Sequence, residues 1–140
     1  MKKITQFFIA VFLAINLTYA QGNDIIFLID NSSSVSATEF DEMSTSIDSI
    51  IINVLNCNAN NRVAVIHYGT RILNHNIQPN LFPKIWIESD FTNDLATALT
   101  YQRQLNNGNY LHESTQLIDN ALDGIPNTNI VSPQTQLNTI

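Results

Sequence analysis

One aspartate and two serines at alternate positions, Asp30, Ser32 and Ser34, form the group of side chains best suited to chemistry in this chain. They offer one carboxylate and two hydroxyls, which are hard oxygen donors that suit Mg²⁺, Mn²⁺ or Ca²⁺ rather than a soft metal. A cation held by so few anions keeps much of its charge and some water-filled positions. It can therefore accept a carboxylate from another molecule, and the spacing predicts metal-bridged binding.

The segments on either side of this motif read as a strand–helix–strand unit. Asp24–Asp30, D-I-I-F-L-I-D, has the continuous apolar run of a central parallel strand buried on both faces. A helix is predicted to begin at Ser36 or Thr38, with acidic residues in its first turns, and to end near Asn56. The apolar stripe of this helix comprises Phe40, Met43, Ile47, Ile50, Ile51 and Val54. Arg62–Tyr68 reads as the second strand, so we expect a parallel pair with its ligand-binding edge at the carboxyl ends.

Three more elements are predicted after this unit. The alternation of apolar and polar residues over Lys84–Phe91 indicates a third strand, at an edge of the sheet. A second helix capped within 92–94 carries Leu95, Ala98, Leu99 and Leu105. A third helix carries Leu117, Ile118, Ala121, Leu122 and Ile125, and ends at Gly124 and Pro126. The stretch from 127 to 140 reads as a polar, irregular tail.

Composition and charge exclude several classes of protein. The chain has 140 residues, 12 acidic and 6 basic side chains and a formal charge of −6, which argues against a general nucleic-acid or anionic-membrane binder. Its single cysteine, Cys57, cannot support a disulfide framework or a multi-cysteine zinc site. Two interpretations of Cys57 stay open. It is a small half-buried residue at a helix end, which we favour, or it forms a disulfide with a partner outside this chain.

The first twenty residues have the three-part pattern of a secretory signal peptide. Lys2 and Lys3 precede an apolar run over 7–15, and small residues precede a predicted cut after Ala20. The run is too short for a membrane span, which needs about 20 apolar residues. Removing two lysines leaves 4 basic and 12 acidic residues in the mature chain 21–140, a charge of −8. We expect a protein that is secreted, periplasmic or on the cell surface.

The stretch from D-I-I-F-L-I-D-N-S-S-S-V through R-V-A-V-I-H-Y-G resembles the opening of von Willebrand factor type A domains. The resemblance covers most of residues 23–125. It implies a doubly wound, mainly parallel α/β sheet of Rossmann-like type with helices on both faces. It also implies a metal-ion-dependent adhesion site that begins with D-x-S-x-S and holds a divalent cation, Mg²⁺ in first place. The implied partner is a protein or matrix ligand that offers a carboxylate.

The resemblance also implies a threonine ligand from a later loop, for which Thr115 is the best candidate and Ser114 the fallback. Here the glycine pair of the family pattern is absent, and the distance to Ala121 is one residue longer than usual. The family's last ligand is an aspartate after a fourth strand, and no candidate follows Asp123. We therefore expect a domain that stops before that strand, with an exposed sheet edge and low stability by itself.

Three functions fit these residues. The first is an exported, non-enzymatic binding or adhesion module with metal ligands at Asp30, Ser32, Ser34 and Thr115. The second is a metal-free domain of the same family that serves as a structural or assembly surface, suggested by the unusual Thr115 loop. The third and weakest is a hydrolase that uses Asp30, because the sequence has none of the phosphate-binding or serine-nucleophile motifs.

Overall fold

The computed structural model describes residues 21–30, 34–69, 83–103, 110–131 and 134–139. The elements are β1 (Asp24–Asp30), α1 (Ala37–Cys57), β2 (Arg62–Gly69), β3 (Lys84–Thr92), α2 (Leu95–Ala98) and α3 (Leu111–Leu122). The predicted signal peptide over 1–20, Ser32 and the predicted helical residue Leu105 lie outside the described residues.

The three strands form one mixed sheet in the order β1-β2-β3. β1 and β2 are parallel and in continuous register from Asp24 opposite Arg62 to Asp30 opposite Tyr68. β3 is antiparallel to β2, with a register irregularity between Val63 and Ile66. The predicted parallel unit and the predicted outer third strand are therefore confirmed. Among the described residues, no strand pairs with the other edge of β1.

Alternating side chains on the strands build two apolar layers, one on each face of the sheet. On one face, α1 and the single turn of α2 pack on the strands and form with them a layer whose buried residues are Ile29, Phe40, Ile51, Val63, Val65 and Ala98. On the other face, α3 packs on a layer that includes Ala64, Ile66, Tyr68, Ile85, Ile87 and Phe91. Helices thus cover both faces of the sheet, as predicted for a doubly wound fold.

The helix α1 begins with a reciprocal cap. The Glu39 N–H donates to Ser36 Oγ at 3.2 Å, and the Ser36 N–H donates to Glu39 Oε2 at 2.8 Å. Hydrogen bonds from the Ser36 side chain and from the Ser36 N–H to the Glu39 carboxyl lower its pKa. The predicted stripe is only partly right, because Ile50 is 51% exposed. Cys57 is the last residue of α1 and is exposed, so the favoured half-buried interpretation of it is wrong.

The two later helices differ from their predicted bounds. α2 is one turn, Leu95–Ala98, closed at its start by the Asp94 side chain, which accepts from the Thr97 N–H at 3.0 Å. α3 begins at Leu111, earlier than the apolar pattern indicated, so residues expected in a loop are helical. The buried stripe of α3 begins at Ser114, one turn before Leu117. Because serine is polar, a hydropathy pattern does not reveal this first turn.

The irregular segment after α3 packs against the sheet and the helix. The Leu137 side chain is 3% exposed, and its N–H donates to the Ala121 carbonyl at 2.9 Å. The Asn138 N–H and side-chain amide both donate to the Asp90 carboxylate, at 3.0 and 2.6 Å. Near the other end of β3, Ile130 forms a parallel bridge with Ile85. The predicted polar tail therefore contributes apolar residues to the α3 side of the core.

We expect Leu137→Ala to lower the free energy of unfolding by about 2–4 kcal/mol, because it removes a buried side chain and leaves a cavity. The matched control is Ile125→Ala, which truncates a side chain that is 50% exposed and should change stability by less than about 0.5 kcal/mol. Urea unfolding of both variants measures this. Equal effects in the two variants would contradict the packing of the segment after α3.

Candidate metal site

The carboxylate of the predicted motif lies at the end of β1, next to a buried tyrosine. Asp30 is the register partner of Tyr68, and both follow the strand alternation that faces α3. The Tyr68 side chain is 5% exposed and hydrogen-bonded to Asp30, so that the phenol donates and the carboxylate accepts. Burial, then this hydrogen bond and the negative charge of Asp30, raise the pKa of Tyr68 to about 12.

The turn before α1 is hydrogen-bonded to an arginine from the segment after α2. The Arg103 guanidinium donates from Nη2 to the Val35 carbonyl, between Ser34 and the helix cap at Ser36. Ser34 is exposed in this turn, and Ser32 lies outside the described residues. The contact from Arg103 joins this turn to the segment after α2.

The direction of α3 follows from contacts at its last turn. The Ala121 carbonyl is hydrogen-bonded to Leu137, and the next residue, Asn138, is hydrogen-bonded to Asp90 near the end of β3. Because β3 is antiparallel to β2, that end of the sheet is where β2 begins. The first turn of α3 therefore points towards the opposite end, at which β1 and β2 finish with Asp30 and Tyr68.

Ser114 is the first residue of the buried stripe of α3, one turn before Leu117 and Ile118. Its side chain is fully buried, and its hydroxyl has no hydrogen-bond partner among the described residues. A buried hydroxyl without a partner costs free energy, so such groups are rare unless something else completes them. The Ser114 oxygen therefore lies on the same face of the sheet as Asp30 and towards the same end. It lacks a hydrogen bond among the described residues that would offset its burial.

Thr115, the predicted ligand, is placed differently. It is exposed, and its hydroxyl donates to the His112 carbonyl one turn earlier in α3 at 2.7 Å. His112 and Glu113 are also exposed. The assignment of Thr115 as a ligand stays a prediction, while burial and the missing partner favour its neighbour Ser114.

The N-cap residue of α3 is Tyr110, whose side chain makes no capping hydrogen bond to the first turn of the helix. Unpaired N–H groups and the helix dipole favour a negative charge at this position.

The sequence alone missed Ser114 as the better-placed hydroxyl, as well as Tyr68 and Arg103. The spacing of Ser114 to Leu117, Ile118 and Ala121, at three, four and seven residues, is the signal that could have found it.

Other metal-binding arrangements are not found in the part of the chain that the structure describes. No three His, Cys, Asp or Glu side chains cluster there. His67 is fully buried in β2 on the α1 side, with Nε2 3.2 Å from Glu88 Oε1, as expected for a core histidine. The described helices also include none with the length and apolar character required to cross a membrane.

We expect Ser114→Ala to raise the free energy of unfolding in the presence of a chelator, because it removes a buried hydroxyl that has no partner among the described residues. The matched control is Thr115→Ala, which gains the same helix propensity but removes an exposed hydroxyl. The difference between the variants should be about 1 kcal/mol in favour of Ser114→Ala. Thermal and urea unfolding measure it, and a Ser114→Ala protein less stable than Thr115→Ala would show that the hydroxyl has a partner.

Comparisons with known proteins agree with this architecture. The family model described as the von Willebrand factor type A domain matches residues 24–129, which include all six described helices and strands. A comparison with curated protein sequences found no significant match. Domains of this family are in general protein-interaction modules rather than enzymes. With a match over most of its length and a sheet covered by helices on both faces, the chain belongs to the von Willebrand factor type A domain family.

Proposed function

We propose that this protein is an exported binding module that engages a carboxylate-bearing protein or matrix ligand through a divalent cation held at the Asp30 end of the sheet. The observation that carries the proposal is the buried hydroxyl of Ser114, on the same face as Asp30, which has no partner in the part of the chain that the structure describes. In a domain without a ligand for it, this buried hydroxyl would lower the stability of the fold and contribute nothing to binding.

The donor set fits a hard cation. Asp30 supplies the charge, and the Ser34 and Ser114 hydroxyls are neutral oxygen donors of the kind that Mg²⁺ and Mn²⁺ accept. Ser32 is the fourth proposed donor, on the sequence pattern alone. Thr115 is the alternative to Ser114. With one carboxylate among these donors, a bound cation would retain net positive charge. That charge is what would attract a carboxylate from another molecule to the site.

The surroundings of the site favour an acidic ligand group. The uncapped N-terminus of α3 presents peptide N–H groups at this end of the domain, and these stabilise a carboxylate. The chain itself is acidic, with a formal charge of −6, so a cation is needed to bring an anionic ligand to its surface. Both points favour a carboxylate bound to the cation rather than a polyanion bound to the protein directly.

Export rests on the sequence of the first twenty residues. The basic start, the apolar run and the small residues before the cut after Ala20 are typical of a signal peptide. We infer that the mature protein is secreted, periplasmic or on the cell surface, where divalent cations are present at millimolar levels. No described feature favours the hydrolase hypothesis, since the described residues contain no group of three or more His, Cys, Asp or Glu side chains.

Addition of Mg²⁺ or Mn²⁺ at a few millimolar should raise the melting temperature of the full chain, because the cation binds only the folded protein. Asp30→Ala should abolish the rise. The matched control is Asp41→Ala, which removes an exposed carboxylate from the first turns of α1 and should leave the rise unchanged. Calorimetric titration with the same ions gives the stoichiometry, expected to be one ion per chain.

A melting temperature of the wild-type protein that does not respond to Mg²⁺, Mn²⁺ or Ca²⁺ would reject the metal site. It would favour the metal-free structural or assembly domain instead. An equal rise in the wild-type and Asp30→Ala proteins would place ion binding elsewhere on this acidic chain.

A further inference from the structure

We propose that Gln21 becomes the first residue of the mature chain and then cyclises to a pyroglutamyl residue, so that the exported domain has an uncharged N-terminus. The inference rests on the export part of the proposed function, which places the signal-peptide cut after Ala20. It is independent of the metal site. It concerns residues 21–23, which lie between the cut and the start of β1.

Residues 21–23 are hydrogen-bonded to the turn between α1 and β2. The Gln21 carbonyl accepts from the Asn58 side-chain amide at 3.3 Å. The Asn23 N–H donates to Asn61 Oδ1 at 3.0 Å, and the Asn23 carbonyl accepts from the Arg62 N–H at 2.9 Å. The first residues of a domain are usually poorly ordered unless contacts of this kind hold them. A chain cut after residue 20 therefore begins at a defined place on the surface of the domain.

Gly22 lies directly against the same turn. A Cβ added at Gly22 would overlap the Asn60 carbonyl oxygen, so this position accepts no side chain without a shift of the backbone. Gln21, by contrast, is exposed. The new N-terminus therefore offers the amine and the side chain of Gln21 to the solvent, while the main chain that follows them stays packed on the turn.

The amine of an N-terminal glutamine can react with its own side-chain amide. Its nitrogen attacks Cδ, the new C–N bond closes a lactam ring, and the bond from Cδ to the side-chain nitrogen breaks. Ammonia leaves with the proton that the amine gives up, so nothing is oxidised or reduced and no co-reactant is needed. An α-amino group has a pKa of about 7.7–8.0, so part of it is the free, nucleophilic amine near neutral pH. Because both groups belong to one residue, the amine reacts at a high effective concentration.

The ring is compatible with the contacts that hold residues 21–23. Cyclisation uses Nα and Cδ of Gln21, whereas the hydrogen bond from Asn58 uses the Gln21 carbonyl. The lactam also removes the α-ammonium group that aminopeptidases recognise. Since Asn23 is hydrogen-bonded to Arg62, the first residue of β2, the ring protects from trimming the segment that leads into the β1–β2 pair.

The test is intact mass spectrometry of the exported protein. The full chain is expressed with its own first twenty residues in an export-competent host, purified and incubated at neutral pH. We expect the mass of residues 21–140 less one molecule of ammonia. Edman degradation should give no sequence until pyroglutamyl aminopeptidase removes the first residue.

The matched control is Gln21→Ala, which keeps the predicted cut but has no side-chain amide to close the ring. It should have the full mass of its mature chain and give a readable sequence from position 21. An equal loss of ammonia in Gln21→Ala would place that loss at another residue and overturn the inference.

Two further outcomes separate this inference from the proposal of export. A cut after Ala20 that leaves a free Gln21 amine after the incubation, or a cut at another bond, overturns the cyclisation while export stands. A chain that keeps its first twenty residues rejects the export proposal and this inference with it, and leaves the metal site to its own titrations.

Discussion

The parallel register of β1 with β2 is the constraint on which the rest of the structure depends. It is fixed at one end by Arg62, whose guanidinium donates to both carboxylate oxygens of Asp24 at 2.9 and 2.7 Å. Arg62 also lies over the Phe91 ring and donates to the Asn138 carbonyl, so one side chain joins three segments at this end. Since a slip of one residue would turn every side chain to the wrong face, this pairing determines what meets at the opposite end.

The two ends of the sheet are built differently. At the Arg62 end, Arg62 is paired with Asp24, and the Asp90 carboxylate accepts several hydrogen bonds, chiefly from Asn138, although the neighbouring Ser89 hydroxyl is buried without a partner among the described residues. Burial by itself would raise the pKa of Asp90, and these hydrogen bonds outweigh it and lower the pKa. At the Asp30 end, the Ser114 hydroxyl is buried without a partner among the described residues.

The strand–helix–strand core could be predicted because its signals are local. The apolar run of β1, the Ser36–Glu39 capping box and the β-branched run of β2 each specify their element within a few residues. The length of α2 and the start of α3 could not be predicted in this way. Leu95 and Leu99 suggest a longer helix by spacing, and Ser114 hides the first turn of α3, because hydropathy does not reveal whether a polar residue faces the core.

By itself, the sequence determined the family, the position of Asp30 at the end of a buried strand and the hard-oxygen character of the predicted site. These follow from residue types and short spacings. Only the tertiary structure decided that Ser114 rather than Thr115 is buried, and that Tyr68 holds the Asp30 carboxylate. Asp30 and Tyr68 are 38 positions apart, and the burial of Ser114 depends on the packing of α3 against the sheet, so no local pattern contains either result.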